Sequence, residues 1–107
     1  MLDPRLNIFI SEQSEHLAGL YTSIESNRER VFARTIKLSE EVGELAEAVL
    51  ASESLQRKSK SSKEVSLEQE LCDVIITALL LAKSLDIDMD QALSARVEKI
   101  RSRRSTD

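Results

Sequence analysis

A chain of 107 residues with a formal charge of -4 has enough material for one hydrophobic core, so a single domain is expected over residues 1–107. Two glycines, one proline, one tyrosine and two phenylalanines leave little turn or strand chemistry, and the acidic balance offers no broad basic face to duplex nucleic acid. The expected class is all-α, because Leu, Ala, Glu, Lys, Arg and Ser fill the chain.

In chain order, Leu6, Phe9, Ile10, Leu17, Leu20, Tyr21 and Ile24 form a rough helical stripe, which predicts a first helix from about Arg5 to Ile24. Ser26 and Glu29 have capping-box spacing and open a second helix to about Ser54, with Leu38, Val42, Leu45 and Val49 as its expected core face. Residues from Leu55 to Val65 are polar, basic and serine-rich without apolar period, and read as a loop. Ser66 and Gln69 cap a third helix to about Ser84. Asp88 and Gln91 open a fourth, from Met89 to about Arg103.

The third helix carries Leu71, Cys72, Val74, Ile75, Ile76, Ala78, Leu79, Leu80 and Leu81 around its whole circumference. A small monomer would show a polar side there, so part of this surface is expected to meet another subunit, with Ile76 and Leu80 at the contact. Phe9, Tyr21 and Phe32 are expected in the core. The apolar run Val74 to Ala82 is too short to span a bilayer, and no basic segment followed by an apolar one opens the chain. The lone Cys72 has no internal disulfide partner, so the expectation is a soluble, cytoplasmic protein.

Chemistry concentrates in two acidic blocks. At about 100° per residue, Glu41 and Glu44 share one stripe of the second helix with Lys37 beside them, and Glu40 lies further toward solvent. On the third helix Glu70 and Asp73 stand one turn apart, where the helix enters its apolar middle. Antiparallel packing of the two helices would bring Glu41, Glu44, Glu70 and Asp73 toward a common point, as in bundle metal sites. Oxygen-only ligands favour Mg2+, with Mn2+ as a substitute, over zinc or copper. The ordinary alternatives are a solvated acidic face and first-turn acids that favour the helix dipole. Lys37, Lys99 and Arg103 are candidate phosphate contacts, and surface solubility is the plainer role for each. His16, the one histidine, has no placed partner in the sequence.

The pattern EExxE from Glu40 to Glu44, a gap, then ExxD from Glu70 to Asp73 resembles the all-α nucleoside triphosphate pyrophosphohydrolases, specifically the small MazG-like members. The resemblance runs from about Lys37 to Arg103. It implies a four-helix-bundle-like MazG-type fold in a homodimer or homotetramer, with magnesium, hydrolysing a (deoxy)nucleoside triphosphate to the monophosphate and pyrophosphate, with nucleotide-pool house-cleaning among the roles. It makes Glu41, Glu44, Glu70 and Asp73 the metal ligands and Glu40 the catalytic or outer-shell acid. Lys99 matches a phosphate-holding lysine of the family's fourth helix. An asparagine that the family places nearby is replaced here by Val97 or Ile100. The related phosphoribosyl-ATP pyrophosphohydrolases share the acidic logic, and a non-enzymatic helical interaction module is the remaining alternative.

Overall fold

Serine hydroxyls start two of the helices. Ser26, in extended backbone, accepts a hydrogen bond from the Glu29 N–H at 3.2 Å, and Ser66 does the same for the Gln69 N–H at 3.3 Å. Each satisfies a donor that a helix start otherwise leaves open. In the computed structural model, which describes residues 2–20, 26–53 and 66–106, the chain forms α1 (Pro4–Leu20), α2 (Asn27–Ser52), α3 (Leu67–Ser84) and α4 (Met89–Thr106). The described residues contain no strand, in keeping with the all-α expectation. Tyr21, Ile24 and the segment read as a loop, Leu55 to Val65, lie outside the described residues.

The turn after α3 closes by backbone bonding. The Ile87 N–H donates to Ala82 O at 3.0 Å and the Asp86 N–H to Lys83 O at 3.2 Å, with Asp86 at φ 56°. This is the paired bonding of a Schellman ending, here with aspartate rather than glycine in the left-handed position. Asp88 then caps α4, its Oδ1 accepting from the N–H groups of Asp90 and Gln91 at 3.1 and 3.3 Å.

α2 packs along α3, and α1 packs on α3. The α2/α3 pair is antiparallel: Asn27 Nδ2 reaches Ser84 O at 3.0 Å, Arg34 reaches Leu80 O at 2.8 Å, and Glu44 faces Glu70. α4 is held at its start, where Asp90 accepts from the Leu2 N–H at 2.6 Å and from Asn7 Nδ2 at 2.9 Å. The buried centre is small. Ile10 from α1 meets Leu79 and Leu80 from α3, with Leu2, Leu6, Leu17, Ile76 and Met89 packed against them.

Several expected positions differ. Leu80 belongs to this core and Ile76 packs on it, so neither supplies the outward face of α3; that face carries Leu71 and Ile75, each about half exposed, together with Cys72 and Ala78. The cause is geometric: α1 and α2 cover one side of an all-apolar helix and leave the other. On α2, Val42 and Val49 are exposed, because only the Leu38/Leu45 side of the stripe turns toward α3. Phe32 is outside the core as well, 53% exposed, with the Arg28 guanidinium 5.4 Å over its ring.

Leu80→Ala should therefore lower the unfolding free energy by about 2–5 kcal/mol in urea titrations, as truncation in a packed centre does, whereas the same change at exposed Leu20 should stay within about 0.5 kcal/mol.

Candidate metal centre

Antiparallel packing of α2 on α3 gathers three of the expected acids. One carboxylate oxygen from each of Glu41, Glu44 and Glu70 lies within 4.8 Å of the others. Glu41 is buried, at 8% exposure, Glu70 is half-buried and Glu44 faces solvent. Asp73 stands one turn further along α3, exposed and outside this trio, and its backbone carbonyl accepts from the buried Thr77 hydroxyl at 2.7 Å.

Two observations show what the acids lack. Glu41 Oε2 and Glu70 Oε2 are buried oxygens without a hydrogen-bond donor among the described residues. Such atoms cost free energy unless something else meets them, and a hard cation meets carboxylate oxygens well. Secondly, the carboxyl of Glu44 is held above its ordinary pKa, chiefly by the negative charge of Glu41, then by desolvation and by Glu70. Crowded like charges of this kind are what a divalent ion relieves. The donor set is all oxygen, so the residues fit a hard cation of the magnesium type.

Lys37 supplies partial compensation. Its Nζ is 3.4 Å from Glu41 Oε1 and 3.6 Å from Glu40 Oε2, and the hydrogen bond to Glu41 followed by that group's charge holds the lysine above its ordinary pKa. Glu40 is exposed and is linked to the wall through this ammonium group. Lys99 and Arg103 are exposed on α4, a helix that does not pack along α2 or α3.

Next to Lys37 opens a cavity of about 390 Å3 between α1, α2 and α3. Its walls are mainly apolar, from Phe9, Leu17, Ile76 and Leu80, and Gln13, Arg30, Arg34, Lys37 and Thr77 add polar groups. Arg34 is tied to its neighbours there: Nη1 donates to Leu80 O at 2.8 Å and to Ser84 Oγ, and Nη2 to Ser14 Oγ at 3.1 Å. Burial, and then the like charge of Arg30, pull this guanidinium below its usual pKa. The sequence reading passed over Arg30 and Arg34. Their signal was present as spacing, since Arg30, Arg34, Lys37, Glu41 and Glu44 recur every three or four residues and must share one stripe.

Residues 32–106 match the MazG nucleotide pyrophosphohydrolase domain, and the chain belongs to that family. It is similar to YpjD, an uncharacterized protein of Bacillus subtilis (strain 168), at 34% identity over 71 residues. That stretch is 66% of this chain and spans just under two thirds, 64%, of the relative's length. No solved structure gave a significant match. Among the described residues no helix is long and apolar enough to cross a membrane.

The raised pKa of Glu44 has a signed consequence for the metal-free protein. Its favourable contribution is fully present below the ordinary value of 4.5 and is lost as pH rises through the folded-state value. Glu44→Gln should thus melt above wild type at neutral pH in chelator, with the gap closing below pH 4.5. A variant less stable than wild type at neutral pH would contradict the repulsion.

Proposed function

We propose that this chain is a magnesium-dependent nucleoside triphosphate pyrophosphohydrolase, converting a (d)NTP to (d)NMP and pyrophosphate. The observation that carries this reading is the convergence of Glu41, Glu44 and Glu70, two of them with orphaned buried oxygens, beside a cavity large enough for a nucleoside. Family membership gives the reaction class. Glu41, Glu44 and Glu70 would hold Mg2+, or Mn2+ in its place, and Asp73 would join from the next turn of α3. When bound, such an ion neutralises charge on phosphate oxygens and makes a water molecule more acidic.

The chain's own residues divide the remaining work. Glu40 is exposed at the edge of the wall, free of the inner acids, and is the candidate to take a proton from the attacking water. Lys37, already beside Glu40 and Glu41, holds phosphate charge at the junction between wall and cavity. The apolar lining of the cavity excludes water from the nucleoside end. Lys99 and Arg103, on a helix that does not pack along α2 or α3, would act on phosphate from a second copy.

We also read the open face of α3 as a subunit contact in a homodimer or homotetramer. Leu71 and Ile75 on α3 and Phe32 and Ile36 on α2 are each more than half exposed, an apolar load that a 107-residue monomer does not ordinarily carry. Cytoplasmic placement follows from such an activity.

A panel of nucleoside triphosphates and phosphoribosyl-ATP with Mg2+, scored for pyrophosphate against orthophosphate, tests the activity. Gln at Glu41, Glu44 or Glu70 and Asn at Asp73 should remove magnesium binding and turnover together. Glu40→Gln should lower turnover about a hundredfold or more with metal affinity retained in calorimetry. Full wild-type turnover in excess chelator would overturn the metal role, and no pyrophosphate from any substrate would leave a non-enzymatic helical module.

The subunit contact is tested separately. Ile75→Asp should shift the protein to a monomer by light scattering at micromolar concentration, because an unpaired charge is not tolerated in a closed apolar contact. A monomeric wild type would contradict the assembly.

A further inference from the structure

Arg30 lines the cavity from the first turn of α2, and its Nε is buried with no acceptor among the described residues. Neighbouring cations are already answered. Lys37 has Glu40 and Glu41, and the donors of Arg34 have Leu80, Ser84 and Ser14. A buried guanidinium donor left open in a native fold asks for an acceptor from outside the chain.

Position identifies which part of a nucleotide would answer. Arg30 precedes Glu41 by eleven residues, about 16 Å along the helix axis. With the phosphates at the acid wall, the end that reaches Arg30 is the base. The surrounding walls, Phe9 and Leu17 from α1 and Leu80 from α3, suit a flat apolar ring rather than a phosphate. We infer that Arg30 is a specificity-determining residue that reads the base of the substrate, favouring 6-oxopurines. A guanidinium matches the paired acceptors O6 and N7 of a 6-oxopurine, whereas a 6-aminopurine turns a donor toward it. Gln13, on α1, lines the same cavity and offers an amide group there.

This inference rests on the hydrolase reading of the site, and its test separates the two. Initial rates with Mg2+ and GTP, ITP or ATP should give kcat/KM for the 6-oxopurines at least about tenfold above ATP, the scale of one good bidentate base contact. Arg30→Met should bring the GTP/ATP and ITP/ATP ratios close to unity, mainly through KM, and Arg30→Lys should fall between. Wild-type ratios already near unity would overturn the inference, as would equal losses on all three substrates in Arg30→Met, which would make Arg30 a phosphate contact or a structural residue. Pyrophosphate release from none of the triphosphates would overturn the hydrolase reading itself. Calorimetric binding of GDP against ADP to wild type and Arg30→Met then decides the role of Arg30 independently: preference for GDP lost in the variant sustains it, and equal binding sinks it.

Discussion

The three helices that frame the site are joined through one guanidinium. Arg34 leaves α2 and donates to a backbone carbonyl and a hydroxyl on α3 and to a hydroxyl on α1. Arginine does this without losing its charge, because its pKa begins so high that partial burial leaves it protonated. Its acceptors are all neutral. The tie therefore fixes the distance between helices without spending an acid that the wall needs. The hydrophobic centre, Ile10 with Leu79 and Leu80, is too small to set that geometry alone.

From this tie the electrostatics of α2 follow. One stripe carries Arg30, Arg34 and Lys37 toward the helix start and then Glu41 and Glu44. The sign changes where cavity meets acid wall, and Lys37 bridges the change by pairing with Glu40 and Glu41. A substrate with a neutral, acceptor-bearing ring at one end and phosphates at the other is complementary to such a gradient when a cation offsets the acids. The same stripe explains why Glu44 holds its proton more tightly than an isolated glutamate: it stands at the acidic end, facing Glu70.

Much of this was legible in the sequence because helical spacing is a strict geometric constraint. Serine caps set the starts of α2 and α3, and the spacing of Glu41, Glu44 and Glu70 brought them together once the helices ran antiparallel. Periodicity says which residues share a stripe, but not which neighbour covers it. For that reason Leu80, expected at a subunit contact, is core, and Val42 and Val49, expected in the core, are exposed. Asp73, one turn from Glu70 on α3, is exposed and lies outside the trio, although α2 also meets α3 further along, at Leu80 and Ser84. Arg30 and Arg34 escaped notice because arginine on a helix ordinarily means solubility, and only tertiary packing distinguishes an inward guanidinium from an outward one.

The unbroken helix between the two ends of the site works as a ruler with teeth. From Arg34 to Glu41 there is no loop, cap or glycine to absorb a change in chain length. Inserting or deleting one residue there would rotate everything beyond it by about 100°. The acids would turn away from Glu70, and Leu45 would turn away from α3 with them, putting the two ends of the site out of phase. Substitution within this stretch is a matter of degree, whereas a change of length is all or nothing.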